Sequence, residues 1–185
     1  MLSKIKKIYV LFRAKIIEQR RYTYLNLEID DFDNSFHRHN DKLKIYLADI
    51  SDKKKIEEDL FPHFDDQQNY FKQFLTFDNQ DILCYVASRD KKIVHYFLVF
   101  KNAKNSPLNR TRFKTKIDNY PDASYLGNAF TISSERGGWI VLQVLSVIIK
   151  ELKISYNIKN ILVLIHPDTP GALRFYQRLG FKRVN

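Results

Sequence analysis

The chain has 185 residues, enough for one domain with a sizeable core. Its 31 Lys and Arg outnumber its 21 Asp and Glu, a net charge of +10 that favours an anionic partner: a phosphate-rich cofactor, a nucleotide-linked substrate, nucleic acid or an acidic membrane surface. The single cysteine, Cys84, excludes an internal disulfide and points to a reducing compartment, and no segment is long and apolar enough to span a bilayer.

Residues 3–21 read as a helix. Ile5, Ile8, Phe12 and Ile16 share one face, and seven Lys and Arg accompany a single acid, Glu18. Residues 1–21 are therefore either a helix with a solvated basic face or an amphipathic contact on anionic lipid. The short run IYVLF, followed by Arg13 and Lys15, makes a poor secretory signal, so the expected location is cytoplasmic or membrane-peripheral. Residues 22–29 (YTYLNLEI) alternate like a strand. A polar loop holding His37 and His39 follows. Their i,i+2 spacing lacks further ligands, and no metal is expected.

Residues 43–50 read as a strand, and 51–77 as acidic, aromatic-rich helical segments broken at Pro62. The runs 81–87 and 93–100 flank SRDKK and predict a β-hairpin, with Cys84 and His95 as strand residues. Residues 101–121 form a long basic connection, the kind that is usually functional or mobile. The aromatics Tyr22, Tyr24, Tyr46, Tyr70, Phe71 and Phe74 are read as core in preference to a ligand-facing groove.

The last third is different. All five glycines lie there: Gly127, Gly137, Gly138, Gly171 and Gly180. A strand at 123–132 leads into the polar turn at 133–139, then a strongly apolar helix at 139–152. Gly137 and Gly138 let backbone approach a ligand, the helix N-terminus favours negative charge, and Arg136 adds a cation at the rim. A buried strand at 161–165, a break at 167–171, a short helix carrying Phe175 and Tyr176, and a new extended segment at Phe181 complete the chain. No linker divides it, so 1–185 is read as a single domain.

Two motifs in this third resemble those of the Gcn5-related N-acetyltransferase (GNAT) superfamily. The stretch TISSERGGWIVLQVL is similar to its acyl-CoA loop, Arg/Gln-x-x-Gly-x-Gly/Ala. The spacing of Ala172, Phe175, Tyr176 and Gly180-Phe181 looks like its C-terminal signature. The resemblance covers residues 123–185. It implies an α/β (α+β) fold with a mixed, largely antiparallel sheet flanked by helices. It also implies direct acyl transfer, most simply acetyl, from acetyl-CoA or another acyl-CoA to an amine or hydroxyl of a small molecule. A sugar or cell-envelope intermediate is the suggested acceptor.

Position by position, the resemblance implies that the backbone of Phe130, Thr131 and Ile132 pairs with the pantetheine arm. Amides of Gly137, Gly138, Trp139, Ile140 and Val141 would hold the pyrophosphate, with Arg136, Thr169 and Phe175 also at the cofactor. An amide near Phe130 would polarise the acyl carbonyl. Tyr176 would protonate the departing thiolate as general acid. His166 is the first choice for general base, with Glu135 and Asp122 as rivals, Glu135 being read as solvent-facing.

The chain departs from the pattern in four places. Trp139 stands for the second loop glycine, Val141 for a small residue, and Thr169 for Asn. The sequence also ends a few residues into the strand opened by Phe181, where the family commonly has one more. That strand is either absent or replaced, by the strand at 22–29 or by a partner chain. The alternative function is a non-catalytic binding module on a membrane or an acidic partner. A homodimer is left open, and nucleic acid is disfavoured for want of a recognition motif.

Overall fold

The computed structural model describes residues 22–32, 42–64, 72–75, 77–110, 114–137, 139–166 and 169–184. The expected helix at 3–21, His37, His39, Tyr70, Phe71 and Gly138 lie outside them.

The described strands are β1 (Thr23–Glu28), β2 (Lys44–Leu47), β3 (Ile82–Arg89), β4 (Lys92–Phe100), β5 (Ser124–Thr131), β6 (Asn160–Ile165) and β7 (Lys182–Arg183). The helices are α1 (Lys53–Leu60), α2 (Lys114–Asp118), α3 (Ile140–Tyr156) and α4 (Pro170–Arg178). The strands form one sheet in the order β2-β3-β4-β5-β6-β1-β7. Only β5 and β6 pair in parallel, because α3 crosses over between them.

β3 and β4 are rich in β-branched and aromatic residues and form the expected hairpin. They turn tightly at Asp90 and Lys91, both at positive φ, as a two-residue primed turn requires. Cys84 is buried in β3, and burial pushes its thiol pKa up, as befits an inert strand residue. α3 buries Leu145, Ile148 and Leu152 on the sheet. It stops at Asn157 (φ 52°), where the Ile158 N–H bonds back to the Leu152 carbonyl at 3.0 Å.

One face of the sheet carries α3 and α4 over Leu25, Leu27, Tyr85, Phe97, Leu126 and Val163. The other carries α1 over Val86, Tyr96 and Leu98, and the 101–121 connection over Tyr24, Phe100 and Leu162. That connection corrects the sequence expectation. It contains two 3-10 turns and α2, and its Ala103, Leu108 and Ile117 are buried. Its apolar residues follow no regular period, so only the tertiary contact organises them. Tyr24 is core, as expected, whereas Tyr46 is half-buried and its hydroxyl donates to Asp52 at 2.9 Å.

β1 lies between β6 and β7, antiparallel to both, with Thr23 opposite Ile165 and Leu25 opposite Arg183. Of the alternatives the sequence left open, the strand at 22–29 is the one that stands beside the C-terminal strand. Gly180 fixes the same corner. Its φ is +95°, and a Cβ there would lie 2.6 Å from the Asp31 carbonyl oxygen, so the turn after α4 backs onto the turn after β1.

Candidate active site

A cleft opens where β5 and β6 part. The two strands pair only from Ser124–Ile161 to Leu126–Val163. β5 then runs on to Thr131 and β6 to Ile165 without pairing to each other. The cause is a bulge in β5. Phe97 of β4 faces Ala129 and Val99 faces Leu126, so Gly127 and Asn128 together oppose Leu98. Gly127 is needed there, because a Cβ would approach the Phe100 ring to 2.7 Å. Asn128 is buried and its side-chain oxygen accepts from the Tyr96 hydroxyl.

Past the bulge, Ile132 donates its N–H to the Val94 carbonyl at 3.1 Å. Antiparallel ladders alternate. Phe130 therefore bonds across to Tyr96, while the amides and carbonyls of Ala129 and Thr131 face the cleft. This shifts the sequence expectation by one residue: the amide of Phe130 itself is taken up in the sheet. The Phe130 side chain is buried on the α1 face, against Phe64 and Tyr96. Thr131 is braced from within. Its hydroxyl lies 2.8 Å from Nδ1 of His95, a fully buried imidazole whose Nε2 has no hydrogen-bond partner among the described residues. Burial pulls the His95 pKa down to about 3, so the ring is neutral.

The turn that follows brings Arg136 and the N-terminus of α3 to the end of β5. Arg136 Nε donates to the Thr131 carbonyl at 3.0 Å, and its guanidinium lies 5.7 Å from the Phe130 ring centre. Gly137 has φ +79°, a conformation that favours glycine. Trp139 is the N-cap of α3 but supplies no side-chain cap, so the first amides of the helix, including those of Ile140 and Val141, lack that partner. Ile140 is buried by its side chain, Val141 half-buried, and Trp139 is 47% exposed.

α4 follows β6 and packs on the same face of the sheet as α3. Tyr176 is buried, with its ring edge-on to Phe175 and Phe181 at 5.3 and 5.0 Å. Burial pushes its pKa above the ordinary value, so the phenol stays protonated. The Tyr125 phenol is raised too, first by burial and then by the neighbouring phenols of Tyr24, Tyr176 and Tyr22. His166 is half-buried just past β6, its ring edge-on to Tyr22 at 4.9 Å. Thr169 turns its hydroxyl to the His166 carbonyl at 2.8 Å and does not cap α4, whose first turn begins with Pro170.

The rivals of His166 are sorted by position. Asp122 precedes β5, at the end of the sheet opposite the cleft, beside Lys101 and Lys159. Glu135 corrects an expectation. It is not a free solvent-facing carboxylate but an ion-pair partner of Arg89 on the β3–β4 hairpin, with about a fifth of its side chain exposed. Among the described residues no cluster of His, Cys, Asp or Glu could hold a metal, and no helix is long and apolar enough to cross a membrane.

Two residues went unnoticed in the sequence. Arg174 and Arg178 line a groove of about 300 Å³ together with Trp139, Leu142, Gly171, Phe175 and Leu179. Exposed arginines four apart on a helix give no signal by themselves.

No protein-family model and no curated protein matches the sequence. Solved structures do. A GCN5-related N-acetyltransferase from Kribbella flavida superposes with TM-score 0.56 at 12% identity, over 87% of this chain and 53% of that one. The aminoglycoside N-acetyltransferase AAC(6')-Iy, solved with CoA, gives 0.55 at 10% identity over 77% and 93%. A tandem GNAT protein from the clavulanic acid biosynthesis pathway gives 0.59 at 14% identity over 88% and 50%. The chain spans little more than half the length of several of these neighbours, among them a functionally unknown conserved protein from Staphylococcus epidermidis. The fold they share with it is that of the Gcn5-related N-acetyltransferases, the mixed, largely antiparallel sheet flanked by helices that the two motifs implied.

Proposed function

We propose that the chain is an acyl-CoA-dependent N-acyltransferase acting on a small-molecule amine. The observation that carries this reading is the parting of β5 and β6 beside an α3 N-terminus without a side-chain cap. An extended pantetheine arm can add to the free edge of β5 through Ala129 and Thr131, as a strand would. It takes over the Thr131 carbonyl from Arg136, whose guanidinium is then released towards the phosphates. The pyrophosphate meets the first amides of α3, where the helix dipole favours negative charge.

The chemistry follows from that seating. The acceptor nitrogen attacks the thioester carbonyl, whose oxygen is polarised by a cleft-facing amide of β5. The C–S bond breaks, and Tyr176 gives its proton to the departing thiolate. Its raised pKa keeps that proton available throughout the neutral range. The acceptor's proton leaves through His166 or a water chain reaching it, since His166 is the base candidate at the cleft's end of the sheet. Trp139 in place of the loop glycine leaves the backbone amides available, so the departure narrows the groove's shape and not its chemistry.

Small-molecule amines are favoured by the neighbour AAC(6')-Iy, whose structure with a CoA-S-monomethyl-acetylneamine bisubstrate analogue superposes on 77% of this chain. The test is isothermal titration with acetyl-CoA, CoA and a longer acyl-CoA, followed by an amine screen reading thiol release. Saturable binding and turnover are expected. No binding by any of the three would contradict the proposal and favour a non-catalytic binding module.

A further inference from the structure

We infer that the groove at the end of the sheet opposite the cleft, lined by Lys101, Asp122 and Lys159, binds a small acidic amino acid. The inference does not rest on the acyl-CoA reading. The groove adjoins the last residue of α3, about 25 Å along that helix from the cleft. It also takes up Asp122, which the chemistry of the cleft leaves unused.

The sheet's topology assembles the groove. Antiparallel pairing sets the end of β4 beside the start of β5, and parallel pairing sets the start of β6 beside that of β5. Lys101 directly follows β4, Asp122 shortly precedes β5, and Lys159 directly precedes β6. Both lysines are anchored through their backbone. Lys101 donates its N–H to the Asp81 carbonyl at 2.8 Å, and its own carbonyl accepts from the Ser124 hydroxyl at 2.8 Å. The Lys159 carbonyl accepts from the Ile29 N–H at 2.9 Å. Tyr156, the last residue of α3, supplies a flat wall, with the Lys101 ammonium 5.2 Å from its ring centre.

These charges are not neutralised by one another or by neighbours. Among the described residues Lys101, Lys159 and Asp122 make no ion pair. Asp30 feels the field of Lys159, but its ion pair is with Lys153. Two ammonium groups and one carboxylate therefore line one groove of about 400 Å³, the size of a small-molecule site. The C-terminus of α3, where the helix dipole is negative, adds a second place for a cation. Asn102 accepts the Lys104 N–H at 2.9 Å through its side-chain oxygen, which leaves its amide hydrogens for an acceptor.

A ligand that matches this set carries two acidic groups and one ammonium group. A simple anion would be opposed by Asp122, and a simple cation by both lysines. An acidic amino acid answers all three, its one surplus negative charge against the groove's one surplus positive charge.

The test is titration of the isotope-labelled full chain with L-aspartate and L-glutamate, read by amide chemical shifts. Each is compared with the diacid that lacks its ammonium (succinate, glutarate) and with the amide that lacks its second carboxylate (L-asparagine, L-glutamine). At least one acidic amino acid should saturably shift the amides of Lys101, Asn102, Asn157 and Lys159, with Ala129, Thr131 and Ile140 unmoved. Its diacid and its amide should each bind at least about fivefold more weakly. Asp122→Asn should erase the preference over the diacid. Lys159→Gln should weaken the amino acid at least about threefold. Both side chains are exposed, and melting curves matching the parent's verify that the variants are folded. Shifts that never saturate, or that fall outside these residues, would overturn the inference. So would equal affinities for the amino acid and its diacid, which would make the groove a general anion site. Binding of acetyl-CoA is measured separately, so failure here leaves the acyltransferase reading intact.

Discussion

The cleft has two unlike walls. The β5–α3 wall offers backbone: the cleft-facing groups of Ala129 and Thr131, and the first amides of α3. On the proposed reading, the β6–α4 wall offers side chains: Tyr176, His166 and, just before β1, Tyr22. A backbone wall tolerates almost any sequence that preserves its bends. Trp139 can replace a glycine and Val141 a small residue without removing an amide. A side-chain wall has no such freedom, because a phenol or an imidazole has no backbone substitute. The two walls also differ in assembly. β5 is held by its neighbour β4, whereas β6 is backed by β1, a strand from the far end of the sequence.

The largest effect should come from the side-chain wall. Tyr176→Phe removes only a hydroxyl, so turnover should fall by roughly 10²–10⁴-fold while acyl-CoA affinity stays nearly constant, as read by steady-state kinetics beside calorimetry. Unchanged turnover would make Tyr176 structural and dissolve the contrast.

The backbone wall should show itself in acid. His95, which braces Thr131, has a folded pKa of about 3 against an ordinary value near 6.5. Between those values the unfolded chain binds a proton that the folded chain refuses. Stability from this group is therefore complete above pH 6.5 and declines as pH falls towards 3, by about 1.4 kcal/mol per unit. Denaturant titrations at pH 7, 5 and 4 should show His95→Gln losing less stability on acidification than the parent does.

Next in size is Gly180→Ala, which strikes the corner joining α4 to β1. A Cβ at 2.6 Å from the Asp31 carbonyl, on a backbone at φ +95°, should cost about 1–3 kcal/mol and lower the melting temperature. The smallest is Thr169→Ala. Among the described residues its hydroxyl serves the His166 carbonyl alone, so the loss should be about 1 kcal/mol or less, with affinity for acyl-CoA little changed. A large loss of affinity would move Thr169 into the cofactor site.

Much of this was legible in the sequence because it is local. The β3–β4 hairpin follows from two apolar runs around a short polar turn, and α3 from its apolar periodicity. Tyr176 stands out through its spacing to Ala172 and Gly180. What the sequence hides is non-local. The pairing of Glu135 with Arg89 joins a loop to a hairpin across 46 positions. The burial of Ala103, Leu108 and Ile117 depends on Phe100 and Leu162 rather than on a period. The one-residue shift from Phe130 to Ala129 and Thr131 arises from ladder alternation after a bulge, and a bulge marked only by one glycine is hard to place. The strand at 22–29 was legible as a strand and as one candidate neighbour of the C-terminal strand, but neither its place between β6 and β7 nor its register was.

The most direct test of the central claim is hydrogen–deuterium exchange of the full chain with and without acetyl-CoA, resolved to single amides. The account requires new protection concentrated on Ala129, Thr131 and the first residues of α3, with the β3–β4 hairpin unchanged. Saturable binding that leaves those amides exchanging as before would contradict it, and would place the coenzyme outside the parting of β5 and β6.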